Sequence, residues 1–466
     1  MLLYATSGGQ WAFPARVTYS FMPDGTSIGG TPSILFQKMN AKFTTAAWEQ
    51  QIEKGASVWE AVANINLALV SDDGTAIGAN GNQQDDPRFG DIRIGGMSQG
   101  STQLAFTYAA PPFNGGTLAG DMFFNTDQSW QINGTTYDLL TVAIHEMGHA
   151  LGMSHSADST AVMYATYSDA KQTITTDDTS GIQSIYGAPK DDVFDLAHSN
   201  DTYSTASVLT PYINGQNQVT VQGLELTTSS PTDWYYVTAP TGTATTMTAT
   251  VQSKNLSSMS PAVWVYDSSL HFLGKTTAPF SYGGTASFTA SGVTAGHGYY
   301  IKAVGADLGP AGVGGYGLEV NFSTTAMSPI APPNTVVTRQ SDQGGGGSAD
   351  GTGGGSGGND NGGNGDHNHH HDNNNGDFQL MTVGTVSGFG DALTISDPAP
   401  SSSMTAAAGS ALLGANLIVP FAPTSAVNPF DTGDPFTVIS NPKTQPTAQV
   451  AALYQALSNW RLQKLA

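Results

Sequence analysis

The 466-residue chain contains no cysteine. Disulfides, thiolate metal sites and thiol nucleophiles are therefore excluded. Charge is also scarce, at 11% of residues, and it is one-sided: 15 basic residues stand against 36 acidic ones, for a net charge of −21. A chain so acidic is repelled by polyanions, so neither nucleic acid nor an anionic membrane surface is an expected partner. No apolar run reaches the roughly 18 residues that a membrane-spanning helix needs. The opening stretch, MLLYATSGGQW, has neither the basic start nor the apolar centre of a signal peptide. The acidity fits a secreted or cell-surface setting. Secretion without disulfides points to a bacterial rather than an animal source.

What is present is 39% hydrophobic residues and 56 glycines. That composition suits strands, turns and linkers better than a helical bundle. The length suggests roughly two to four domains. Residues 1–190 read as one mixed α+β domain. ARVTYSFM, FGDIRIGG and TQLAFTYA alternate like strands. One long helical stretch is expected from Leu35 to Ile65, with Trp48, Ile52, Ala56, Trp59 and Val62 on one face. A second helix, DLLTVAIHEMGHALGM, is apolar at Leu140, Ala143, Ile144 and Met147 and should stop at Gly152. TTDDTSGIQSIYG reads as a closing helix begun by Thr176 or Asp177. Residues 191–324 carry short alternating runs between turn residues, which predicts an all-β sandwich. Residues 325–376 read as a flexible Gly/Asn/His-rich linker, disordered in character. Residues 377–466 read as a low-order tail ending in an amphipathic helix with Val450, Leu453, Tyr454, Leu457 and Trp460 on one face.

The densest chemistry lies in AIHEMGHALGMSHSADSTAVMYATY, which takes three of the chain's 10 histidines. His145 and His149 are four apart on a predicted helix, so both imidazoles point to one side and can reach one metal. Glu146 sits beside the first ligand, placed to take a proton from a metal-activated water. Gly152 permits a left-handed turn that brings His155 in as the third ligand. Three neutral nitrogens leave the fourth position of a tetrahedral zinc open, which marks catalytic rather than structural zinc. HExxH alone is a modest signal. The longer HExxHxxGxxH followed by Met163 is a specific one.

These residues resemble the metzincin metallopeptidases, and among them the matrixins, over roughly Arg16 to Gly187. The resemblance implies an α+β metzincin catalytic domain with a twisted mixed sheet and three helices. It makes His145, His149 and His155 the ligands of one catalytic zinc, with Glu146 as general base and proton donor. It also makes Met163 the Met-turn residue beneath the metal. By the same resemblance Tyr164 and Tyr167 belong to the substrate wall, although Ala165 stands where the family has proline. Leu104 and Ala105 are the expected rim of the edge strand that pairs with an extended substrate. The implied partner is a protein or peptide, and the implied activity is that of a secreted zinc-dependent metalloendopeptidase.

Phe106 and Phe123 stand where animal matrixins place two histidines of a second, structural zinc, so no such zinc is expected. Asn125 and Gln128 replace usual acidic calcium ligands. Asp121 and Asp127 remain as calcium candidates, with ordinary turn carboxylates as the plain alternative. The β-rich region, with Asp233 and Trp234 in its DWY strand, is similar to the pre-peptidase C-terminal domains of secreted bacterial peptidases. His367, His369, His370 and His371 lie in the linker, where no fold fixes their geometry. His198, His271 and His297 read as ordinary surface or packing residues. The competing reading is a surface-displayed binding or adhesion protein with an inactive or regulatory peptidase fold. The β region, linker and tail motivate it, and the complete ligand set argues against it. Oligomeric state has no signal in the sequence.

Overall fold

The structure is a computed structural model. It describes residues 2–100, 103–242, 245–278, 282–306, 309–333 and 335. Most of the expected linker, the histidine run and the C-terminal helix lie outside the described residues.

The N-terminal domain is built on strands β1 (Ala5–Thr6), β2 (Val17–Phe21), β3 (Ser27–Ile28), β4 (Thr31–Pro32), β5 (Leu67–Leu69), β6 (Ile92–Met97), β7 (Ala105–Thr107), β8 (Met122–Asn125) and β9 (Met153–Ser154). Five of them form a mixed sheet in the order β5-β2-β6-β8-β7. All its pairings are parallel except β7 against β8, so β7 is an antiparallel edge strand. Its helices are α1 (Leu35–Asn40), α2 (Thr45–Glu60), α3 (Leu139–Ala150) and α4 (Thr176–Tyr186).

The single long helix expected from Leu35 to Ile65 is two helices. The Thr44 hydroxyl accepts the Ala47 amide at 3.3 Å and starts a new helix, so α1 and α2 are separated by a short turn. Trp48, Ile52, Ala56 and Trp59 do share a buried face, while Val62 lies past the end of α2 and packs on the core from there. α2 packs directly on α3. A side chain at Gly55 would meet the Ala143 backbone at 3.1 Å, so glycine allows the two helix backbones to approach closely.

A short helix, α5 (Val193–Ala197), leads into nine further strands. These are β10 (Ser207–Val208), β11 (Gln218–Leu226), β12 (Thr232–Thr238), β13 (Thr246–Gln252), β14 (Pro261–Asp267), β15 (Phe272–Thr277), β16 (Thr285–Ser291), β17 (Gly298–Gly305) and β18 (Gly314–Asn321). They form a five-stranded sheet, β10-β12-β17-β14-β15, and a four-stranded sheet, β11-β18-β13-β16. Alternate residues of both sheets fill one core that includes Val221, Tyr235, Val263, Ile301 and Leu318. The fold holds the chain beyond residue 324, where the linker was expected to begin. Gln252 bonds both the amide and the carbonyl of Ile330, which is buried.

The outer face of the five-stranded sheet carries two cross-strand rows. Trp234, Lys302, Trp264 and Lys275 make one, and Tyr236, Tyr300, Tyr266 and Phe272 make the other. The Lys302 ammonium lies 5.5 Å from the Trp234 ring and 5.3 Å from Trp264, and Lys275 lies 4.7 Å from Trp264.

Polar contacts join the two domains. The Glu60 carboxylate accepts the amides of Leu67 (2.9 Å) and Ser258 (3.1 Å). Asn66 donates to Glu225 at 3.0 Å and accepts the Gly315 amide at 2.9 Å, and Arg16 donates to the Asn255 carbonyl at 2.7 Å. Burial pushes the Glu60 carboxyl up to about 8, with the Leu67 and Ser258 donors pulling it back.

Candidate metal centre

Helix α3 is buried along its whole length, which is unusual for a segment with two histidines and a glutamate. Its first turn is closed by Asp138, whose carboxylate accepts the Thr141 amide (2.9 Å) and hydroxyl (2.8 Å). Two tryptophans hold its main chain. Trp59 donates to the Ile144 carbonyl at 2.8 Å and Trp11 to the Ala150 carbonyl at 2.9 Å. Gly148 leaves space that a side chain would lose, since a Cβ there would lie 2.5 Å from the Met163 sulfur and 2.9 Å from Trp59.

The helix ends at Ala150 with Leu151 as its cap, and Gly152 turns the chain with φ of 103°. That backbone is costly for any residue with a Cβ, and a Cβ here would also run into the Gly9 carbonyl. β9 then pairs with β1, Ser154 opposite Ala5, and delivers His155. The following loop returns beneath the helix. The Ser156 amide donates to the Met163 carbonyl at 2.8 Å, and Asp178 accepts the amides of Val162 (3.0 Å) and Met163 (3.1 Å). Asp178 also forms a capping box with Thr175 at the start of α4. One buried carboxylate therefore ties the Met163 loop to α4. Its neighbour Asp177 accepts the Ser156 hydroxyl at 2.7 Å and the amides of Leu3 and Tyr4.

His145, His149 and His155 come together as their spacing requires. The Nε2 atom of His149 is 3.0 Å from that of His145 and 3.2 Å from that of His155. The Nδ1 of His145 lies 2.8 Å from the Val162 carbonyl, and that of His149 lies 3.0 Å from the Met153 carbonyl. A carbonyl only accepts, so each Nδ1 carries the proton and each facing Nε2 presents a lone pair. Two lone pairs aimed at one another inside a protein repel unless a cation lies between them. Zinc takes nitrogen ligands at about 2.0–2.1 Å, which places ligand atoms on one ion about 3.3 Å apart. The donor set therefore fits zinc. Burial, and next the His149 and His155 imidazoles, holds His145 well below the usual histidine range, and burial with the His155 imidazole brings His149 to about 3. Both rings are neutral at physiological pH, the state a metal ligand needs. Among the described residues, these three histidines form the one group of three or more metal-binding side chains close enough to share an ion.

Glu146 is fully buried on the same helix, and its Oε2 accepts the hydroxyl of Thr107 at 2.6 Å. Met163 is fully buried. Tyr167 accepts the Asp138 amide at 3.0 Å, so it is anchored to the residue that caps α3. The Tyr164 ring lies 5.4 Å from the Lys171 ammonium. Ala105 opens the edge strand β7, and Leu104, just before it, gives its carbonyl to the Asn125 amide on the β8 side. Phe106 and Phe123 stack with centroids 4.9 Å apart. The two calcium candidates serve separate networks. Asp121 accepts the Arg93 amide at 3.0 Å, and Asp127 accepts the Ser98 hydroxyl at 2.5 Å and the Gly100 amide at 3.1 Å.

Thr107, Asp178 and Trp59 escaped the sequence reading as site residues. Thr175 and Asp178 carry a legible capping-box signal three residues apart. Thr107 carries none, because it lies 39 residues from Glu146.

Residues 33–187 match the matrixin family model. Karilysin of Tannerella forsythia is 42% identical over 90 residues, which are 19% of this chain and 19% of karilysin. Human matrix metalloproteinase-27 is 36% identical over 154 residues, 31% of this chain and 28% of the relative. Mouse stromelysin-1 is 33% identical over 151 residues, 30% of this chain and 28% of the relative. The matched segments thus span less than a third of the length of these relatives. The family-model match includes the histidine cluster together with α2, α3 and α4, and on that ground residues 33–187 are a matrixin-like metzincin domain.

Proposed function

We propose that the chain is a secreted zinc-dependent metalloendopeptidase, cutting peptide bonds inside proteins. The observation that carries this reading is the convergence of three imidazole Nε2 atoms, two of them with their Nδ1 protons committed to backbone carbonyls. His145, His149 and His155 would hold zinc, which when bound polarises the scissile carbonyl and makes water a competent nucleophile near neutral pH. Glu146 takes the proton from the attacking water and later passes it to the leaving amine. The substrate lies extended along the outer edge of β7, where main-chain groups of Leu104, Ala105 and their neighbours pair with it as an added strand. Tyr164 and Tyr167 form the wall opposite, and Met163 packs beside Gly148 of the helix that would carry two of the zinc ligands.

Casein cleavage by the full chain, with and without a zinc chelator, tests the activity. The Glu146→Gln variant should retain zinc and lose at least roughly a hundredfold in rate. Full activity in that variant would remove Glu146 from the mechanism.

The binding or adhesion reading has one observation in its favour, the aromatic and lysine rows on the sandwich face. The intact ligand set weighs against an inactive site. Zinc-loaded protein that cleaves no denatured substrate would favour the binding reading.

A further inference from the structure

Glutamate on a helix has a broad final torsion, so packing of its stem alone does not fix where its two oxygens lie. Glu146 has a specific restraint. Thr107 is 2% exposed and Glu146 is fully buried, and the hydroxyl reaches Oε2 at 2.6 Å. That length lies at the short end of the range for a hydroxyl donating to an oxygen. Thr107 ends β7, opposite Met122 on β8, so its own place is set by the sheet. We propose that Thr107 is a positioning residue for Glu146: its hydroxyl sets the rotation of the carboxylate from which the proton is handled. This rests on the peptidase reading above and adds to it.

The arrangement has a consequence for substrate recognition. The strand whose outer edge receives the peptide is the strand whose side chain orients the base. One element therefore registers both reactants, and proton transfer tolerates little misplacement. A β-branched hydroxyl is well suited to this role, because threonine in a strand has restricted χ1 freedom. Valine has nearly the same shape and no donor, whereas serine keeps the donor and loses the methyl group.

The test compares Thr107→Val and Thr107→Ser with wild type in the full, zinc-loaded chain. Steady-state cleavage of a peptide is measured together with zinc content. The carboxyl carbon of Glu146 is read by NMR after labelling with carboxyl-¹³C glutamate, the Glu146→Gln variant giving the assignment. Thr107→Val should lower kcat roughly 10- to 100-fold with KM within about twofold. It should also shift the Glu146 resonance and leave zinc content unchanged. Thr107→Ser should restore kcat to within about threefold and return the resonance to its place. Wild-type kcat in the valine variant overturns the proposal, as does a serine variant as slow as valine or a loss confined to KM. If wild-type protein cleaves nothing, the peptidase reading falls by itself. The resonance then still decides whether Thr107 restrains Glu146, and an unmoved signal in Thr107→Val overturns the proposal.

Discussion

Two buried carboxyl groups separate the character of the two domains. In the sandwich, Asp233 accepts the Tyr316 hydroxyl, and Tyr316 and Tyr235 share a hydrogen bond of 2.6 Å. The Asn200 amide, turned to satisfy both neighbours, donates to Asp233 at 3.0 Å and to Asp195 at 2.8 Å. Burial pushes the Asp233 carboxyl well up, and protein groups supply its partners. In the N-terminal domain, Glu146 lies on the turn of α3 that also carries His145 and His149, whose Nε2 atoms approach to 3.0 Å and converge with that of His155. A polar cluster closed by hydroxyls and amides of its own domain serves the fold. One that brings three imidazole nitrogens within reach of a single ion is built to take a metal.

The sharpest way to break this comparison is to remove one imidazole. His149→Ala should abolish zinc binding and lower peptidase activity by roughly a thousandfold or more. Metal analysis and casein cleavage read this out. Retained stoichiometric zinc would break the assignment of the triad.

A smaller effect is expected where each domain loses a buried carboxylate outside the ligand set. Asp178→Ala frees the Met163 loop and uncaps α4, at a cost of about 3 kcal/mol. Asp233→Ala should cost about 2 kcal/mol through the stranded tyrosine hydroxyls. Thermal melts measure both. Only the first should also weaken zinc, by roughly tenfold, because it supports the loop whose Val162 carbonyl orients His145. Equal effects on zinc would blur the distinction between the domains.

A pH-dependent effect is expected at the junction. Glu60 is raised from 4.5 to about 8, so folding favours its neutral form. Its contribution to stability is fully present below pH 4.5 and is lost as pH rises through about 8. Wild-type melting temperature should fall across that window by more than that of Glu60→Gln. Parallel pH profiles for the two proteins would exclude Glu60 as the source.

How much of this was legible depended on distance along the chain. His145, Glu146, His149, Gly152, His155 and Met163 were readable because helix period and one glycine turn bring them together within a single segment. The sandwich was readable from its alternation of apolar and polar residues. Thr107 was not, because only strand pairing and the packing of α3 on the sheet bring it to Glu146. The break between α1 and α2 was hidden for another reason. Apolar spacing continues smoothly from Leu35 to Trp59, and a cap at Thr44 interrupts the backbone without interrupting that pattern. The two rows on the sandwich face depend on the register of four strands, which alternation within each strand does not specify.

The contiguity of the ligand segment has a thermodynamic consequence. Closing the short stretch from His145 to His155 around an ion costs little chain entropy, even when the rest of the protein is unfolded. The denatured ensemble therefore competes for zinc with its own copy of the three imidazoles. Metal protects a fold only to the extent that it prefers the native chain. Zinc should raise the melting temperature by less than its native-state affinity implies, and a chelator should remove activity at concentrations that barely move the melt.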